Sequence, residues 1–132
     1  MKRTKISFDF DDTLSNIRVQ HLAYQFIQAG MDVHIVTSRM SNKLAGNPSW
    51  NADIELIAST LNIPEEKTHF CNLRPKYEFF KENPDFLCHL DDDLDEVQEI
   101  NLHTGTKSIL FVDSFVDVSL RELKEYISEN NG

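Results

Sequence analysis

Apolar and polar positions along the chain fall into short alternating blocks. "TKISFDF" (4–10) carries the β-branched and aromatic residues of a buried strand. "NIRVQHLAYQFIQAG" (16–30) spaces Ile17, Leu22, Phe26 and Ile27 along one helical face, with Asn16 in N-cap position and Gly30 as the stop. "DVHIVTS" (32–38) predicts a second strand, and "NADIELIASTLNIP" (51–64) a helix with Ile54, Ile57, Ala58 and Leu61 inward, ended before Pro64. "KTHFC" (67–71) predicts a third strand and "PKYEFFKEN" (75–83) a short helix opened by Pro75. "DFLCHL" (85–90) is a fourth strand, "DLDEVQEINLHTG" (93–105) a helix closed by Gly105, and "KSILFV" (107–112) a fifth strand. A final helix, "SLRELKEYISEN" (119–130), has Ser119 in N-cap position. Strands alternating with helices predict an α/β fold around a mainly parallel five-stranded sheet flanked by helices.

The 132 residues suit a single domain, 1–132. "SNKLAGNPSWN" (41–51) is the one long loop candidate, too short to divide domains. No apolar stretch approaches the roughly 20 residues of a membrane helix, and the basic start "MKRTK" lacks the apolar run of a signal peptide. Cys71 and Cys88 lack metal-ligand spacing and read as free thiols of a cytoplasmic protein. A net charge of −9 disfavours broad, nonspecific nucleic-acid binding, though not a small basic pocket.

The polar residues gain meaning from where the strands end. Asp9 and Asp11 follow the first predicted strand, Thr37 and Arg39 the second, and Asp91 and Asp92 the fourth, while Lys76 opens the helix after the third. Ligands of open parallel sheets bind beyond the carboxyl ends of the strands, so three strand ends deliver chemistry to one rim. Two carboxylates about 4 Å apart repel by roughly 4 kcal/mol at an effective dielectric near 20. A hard cation such as Mg²⁺ relieves that with one or two carboxylates plus waters and phosphate oxygens. Asp9 and one of Asp91 or Asp92 can supply the carboxylates, with a main-chain carbonyl near Asp11. Taken alone, an acidic run at a strand-to-helix junction also serves as helix capping, which is the reading for Asp93, Asp95 and Glu96.

These residues resemble a known family. "DFDDT" (9–13) is similar to the Asp-x-Asp-x-Thr first motif of the haloacid dehalogenase superfamily, and "HIVTS" (34–38) to its second, an apolar strand ending in a hydroxyl. Lys76 suits the third motif and "CHLDD" (88–92) the fourth. The resemblance covers nearly the whole chain and implies a magnesium-dependent phosphotransfer enzyme on a Rossmann-like core. It implies Asp9 as the nucleophile that forms an aspartyl-phosphate, and Asp11 as general acid and base. Thr37 would then donate to phosphoryl oxygens and Lys76 neutralise charge there, with Lys81 as the nearest rival lysine. Asp12, where many relatives have Gly, reads as structural.

Within that superfamily, "VTSR" (36–39) and the stretch from Pro75 to Asp93 look like the phosphatase domain of phage polynucleotide kinase-phosphatase. That likeness maps a hydroxyl-x-Arg motif onto Thr37 and Arg39 and implies Arg39 as a phosphate fork, the alternative being a surface ion pair. Ser38 is a further candidate for substrate contact. No P-loop is present, so kinase activity is not implied. Only about two dozen residues separate the first two motifs, leaving no room for a substantial cap. Capless members act on large substrates or form oligomers, so both monomer and homo-oligomer stay open. Lys43 and Trp50 in the 41–51 loop are candidates for substrate contact, Trp50 either stacking on a base or anchoring the loop from below. The expected partner is a phosphorylated substrate, a nucleotide or polynucleotide 3′-phosphate first and a small sugar phosphate second. A receiver domain fits poorly, since its acceptor Asp and its Lys are missing at the third and fifth strand ends. A catalytically silent binding module of the same fold is the remaining alternative.

Overall fold

The computed structural model describes residues 3–130. Five strands form one sheet: β1 (Lys5–Phe8), β2 (Asp32–Thr37), β3 (Thr68–Phe70), β4 (Cys88–Asp91) and β5 (Lys107–Leu110). Their order is β3-β2-β1-β4-β5 and every pairing is parallel. The helices are α1 (Ile17–Gln28), α2 (Asn42–Ala45), α3 (Ala52–Leu61), α4 (Lys76–Glu82), α5 (Leu94–His103) and α6 (Val116–Asn130). Between β1 and β2 the chain builds only a turn and α1, and between β2 and β3 only α2, α3 and a short turn, so no substantial cap interrupts the α/β Rossmann-like core.

Strand residues alternate between two faces. Ile6, Phe8, Val33, Ile35, Cys88, Leu90 and Ile109 point into the larger core, packed with residues of α1, α3 and α6. On the other face Val36 joins Phe80, Phe86 and Ile100 in a smaller core beneath α4 and α5. Buried polar residues Ser7, His34, His89, Asp91 and Ser108 occupy the strand positions between those of the larger core.

Local signals explain most boundaries. Asn16 caps α1 by accepting from Arg18 N at 2.8 Å, and Gly30, at φ 89°, supplies the left-handed turn after it. Four expectations need correction. Ile17 is exposed, and Val19 and Ala23 complete the buried stripe with Leu22 and Phe26. The 41–51 loop contains the helical turn α2, capped by Ser41 Oγ, which accepts from Leu44 N at 3.2 Å. Trp50 is 48% exposed and so does not anchor that loop from below. Ser119 lies inside α6, which starts earlier, at Val116; its Oγ accepts from Val112 N at 2.9 Å and ties the preceding loop instead.

Candidate active site

Strand order reverses direction between β1 and β4, because β1 connects toward β2 while β4 lies on its other side. The carboxyl ends of those two strands therefore flank the crevice where α/β sheets bind ligands. Asp9 N donates to Leu90 O at 2.9 Å and extends the pairing to the crevice edge. The chain then breaks away: Asp11 is extended (φ −63°, ψ 127°) and Asp12 is left-handed (φ 59°, ψ 12°). Asp visits that left-handed region more readily than most residues other than Gly. Asp12 is exposed, its N donates to Ser15 Oγ at 3.0 Å, and it lines the cavity at this crevice.

A cavity of about 350 Å³ opens here. Asp9, Asp11, Lys76, Asp91, Asp92 and Ser38 all line it, so β1, β2, α4 and β4 do converge. Lys76, 2% exposed at the start of α4, donates to Asp9 Oδ1 at 2.7 Å and to Asp91 Oδ2 at 2.6 Å. Lys81 is exposed at the far end of the helix. His89 Nε2 lies 2.9 Å from the same Asp91 Oδ2, and Asp93 N donates to Asp91 Oδ1 at 3.0 Å.

Burial pushes the Asp9 carboxyl up to about 8, against the pull of Lys76 and with the Asp91 charge adding to the rise. Burial also works against ionised Asp91, but His89 and Lys76 hold it down to about 2. The contrast follows from donors: Asp91 has three close partners, whereas Asp9 has Lys76 and a long contact from Thr13. Burial alone would lower Lys76, and the two carboxylates hold it above the ordinary lysine value.

The donor set fits a hard divalent cation. Asp9, Asp91 and Asp92 each offer an oxygen, all within 4.8 Å of one another. Three carboxylates face one lysine there. Thr13 Oγ1 sits 3.4 Å from Asp9 Oδ2 and 3.3 Å from Asp92 Oδ1, and its single proton can serve only one of them. Asp92 is half-buried with acceptor capacity left, while Asp91 is occupied by protein donors.

The remaining expected residues divide. Thr37 is fully buried and does not line the cavity; its Oγ1 accepts from Arg39 N at 3.3 Å, and Ser38 is the exposed hydroxyl that faces the site. Arg39 is in an ion-pair network. Its Nε and Nη2 reach Asp11 at 2.9 and 2.6 Å, Nη2 and Nη1 reach Asp53 at 2.8 Å each, and Nη1 reaches Asn51 Oδ1 at 3.4 Å. All five N–H donors are taken, and the Phe10 ring lies 5.3 Å from Cζ. Hydrogen bonds donated to Asp11 and Asp53 raise the Arg39 value, and Arg39 in turn lowers that of Asp53. Lys43 and Trp50 are exposed and outside the cavity lining.

Sequence reading gave no role to His89, Ser7, Asp53, Asn51 or Arg74. His89 stands two residues before Asp91, which puts both on one strand face, and that spacing was the available signal. Arg74 is an exposed cation lining the cavity, 3.5 Å from Glu78. Among the described residues no helix is long and apolar enough to cross a membrane.

No protein-family model and no curated protein matches the chain. Among solved structures it is similar to a Vibrio cholerae protein assigned as a 3-deoxy-D-manno-octulosonate 8-phosphate phosphatase, at 15% identity and a TM-score of 0.49. The match covers 74% of this chain and 62% of that one, so the chain spans less than two thirds of that protein, and the likeness concerns the fold alone.

Proposed function

We propose that the protein is a Mg²⁺-dependent phosphomonoesterase of the haloacid dehalogenase type that works through an aspartyl-phosphate. The observation that carries this reading is a buried carboxylate, Asp9, at the topological switch point. It is held by Lys76, flanked by Asp91 and Asp92, and open to a cavity. Asp9, Asp91 and Asp92 would hold the cation, which would supply charge neutralisation at the phosphoryl oxygens.

In the first step an Asp9 oxygen attacks phosphorus and the bond to the leaving oxygen breaks. Asp11, which must first take up a proton and let go of one of its two Arg39 hydrogen bonds, gives that proton to the leaving oxygen. In the second, water attacks phosphorus, Asp11 takes the water proton, and the bond to Asp9 breaks to release phosphate. Lys76 has a third N–H beyond its two carboxylate partners and lines the cavity, suiting it to a phosphoryl oxygen. Ser38, which lines the same cavity, would donate another hydrogen bond. Arg39 reaches phosphate only by surrendering Asp11 or Asp53, so its part in this structure is to hold Asp11.

For the substrate, a nucleotide or polynucleotide 3′-phosphate remains the leading class. Trp50 has an exposed ring for stacking, and its neighbour Asn51 touches Arg39, which touches Asp11. The two free thiols suit a reducing, cytoplasmic setting. The test is turnover of p-nitrophenyl phosphate with Mg²⁺, after chelation, and in Asp9→Asn. Loss of at least about a thousandfold in the variant, and dependence on Mg²⁺, are expected; this is at the scale of deleting a covalent nucleophile. Near-normal activity in either control overturns the reading. Comparing kcat/KM for a 3′-phosphorylated oligonucleotide, the 3′-mononucleotide and sugar phosphates then assigns the class, and preference for sugar phosphates moves it to small metabolites.

A further inference from the structure

We infer that His89 is a positioning residue of this site, holding the Asp91 carboxylate through a buried hydrogen-bond chain that begins at Ser7. The role in catalysis rests on the phosphatase reading above; the geometry does not. Ser7 and His89 are register partners across β1 and β4, and both are buried, at 1% and 0% exposure. Ser7 Oγ lies 2.8 Å from His89 Nδ1, and His89 Nε2 lies 2.9 Å from Asp91 Oδ2. The ring of Phe80 packs against the imidazole, centroids 5.0 Å apart, and limits its rotation.

The tautomer follows from the partners. An ionised Asp91 only accepts, so Nε2 carries the proton and donates to it. Nδ1 then has a lone pair, which accepts from the Ser7 hydroxyl. Both ring nitrogens are satisfied without a charge on the histidine. Asp91 Oδ2 thus receives His89 and Lys76 together, while Oδ1 receives Asp93 N. A carboxylate gripped on both oxygens cannot turn, and Lys76 is thereby set on Asp9 Oδ1. The chain Ser7–His89–Asp91–Lys76–Asp9 carries orientation from the sheet interior to the nucleophile. Partners of this kind, one layer behind the ligands, typically change metal affinity by about 10–100-fold when removed.

A merely space-filling histidine would affect stability alone, so the test uses two polar replacements that differ in reach. His89→Gln places an amide N–H near the Nε2 position and can still donate to Asp91; His89→Asn stops near Nδ1 and cannot. Mg²⁺ affinity is read without substrate, from the rise of the thermal unfolding midpoint with Mg²⁺ concentration, and kcat and KM are read with p-nitrophenyl phosphate. His89→Asn is expected to need about 10–100-fold more Mg²⁺ and to lose kcat more than KM. His89→Gln is expected to stay within severalfold of the unaltered protein, and Ser7→Ala to fall between the two. Equal Mg²⁺ requirements in the Asn and Gln variants overturn the inference, whatever their stability. So does an unfolding midpoint that Mg²⁺ does not move in the unaltered protein. If Mg²⁺ binding separates the variants as expected but no phosphate ester is turned over, the phosphatase reading fails and the positioning of Asp91 stands.

Discussion

Two three-membered ion clusters meet at the mouth of the sheet, each with one cation between two aspartates. Lys76 sits between Asp9 and Asp91, with side-chain exposures of 3%, 7% and 0%. Arg39 sits between Asp11 and Asp53, at 23%, 51% and 56%. The stoichiometry is the same and the consequences are opposite. In the dry cluster the surplus negative charge cannot be screened by water, so a proton on Asp9 or a further cation must take it up. In the wet cluster water and salt take up the surplus, so the partners can exchange. Under the proposed function, the nucleophile occupies the first setting and the group that gives and takes protons the second.

The largest effect should come from Lys76→Met, which keeps the volume and leaves two buried carboxylates without their cation. Removing one partner of a buried pair costs about 3–5 kcal/mol. Urea unfolding of the metal-free protein should show a loss of that size, with part recovered by Mg²⁺ because it binds only the folded cluster. A loss below about 1 kcal/mol would make the two clusters alike and break the comparison.

A smaller effect should appear in the pH dependence of metal-free stability. The Asp9 value is raised by burial from 3.8 to about 8, so its contribution is fully present below about pH 4 and is lost as pH rises through 8. Asp91 runs the other way: lowered from 3.8 to about 2, its contribution is present above pH 4 and lost as pH falls through 2. The unfolding free energy of the unaltered protein minus that of Asp9→Asn should therefore decline between pH 4 and 8. Mg²⁺, which favours the ionised form, should flatten that decline. A rising or level difference without metal would show that Lys76 outweighs burial at Asp9.

The alternation of strands and helices, the Asn16 cap and the strand-end carboxylates were all readable, because each depends on spacing within a few residues. That Asp9, Lys76 and Asp91 share one rim was readable for a related reason, since each sits at the junction of a strand or helix that the pattern predicts; that Lys76 bridges Asp9 and Asp91 was not. What escaped depends on register and helix placement. Ser7 meets His89 only because β1 pairs with β4 in one particular register. Arg39 meets Asp53 only because α3 begins at Ala52 and sets its first turn beside β2's end. Ser119 looked like a cap because the apolar pattern of α6 is weak at its start, where Val116 extends the helix by most of a turn. Trp50 was read as a possible anchor from residue type alone, and its exposure is a matter of how the loop folds, which no period in the sequence encodes.

The smallest effect should be that of Asp53→Asn, and it sharpens the comparison most. Asp53 takes two of the five Arg39 donors but is 56% exposed, and exposed ion pairs are worth about 0–1 kcal/mol. The variant should lose no more than that in urea unfolding, and the loss should shrink further between about 0.05 and 0.5 M salt as screening lengths fall well below 10 Å. Asn keeps one oxygen that can accept from Nη1, so the guanidinium should stay near Asp11, held by its own two hydrogen bonds to that carboxylate and by the Phe10 ring. Turnover should consequently change by less than about threefold, since less than 0.7 kcal/mol separates the two states. The Lys76 cluster should show the reverse pattern in metal-free buffer, with a large loss that monovalent salt barely alters, because side chains this buried are screened little by bulk salt. A salt-insensitive loss of several kcal/mol in Asp53→Asn would mean that the Arg39 cluster is sealed in solution, and that water access does not separate the two halves of the site.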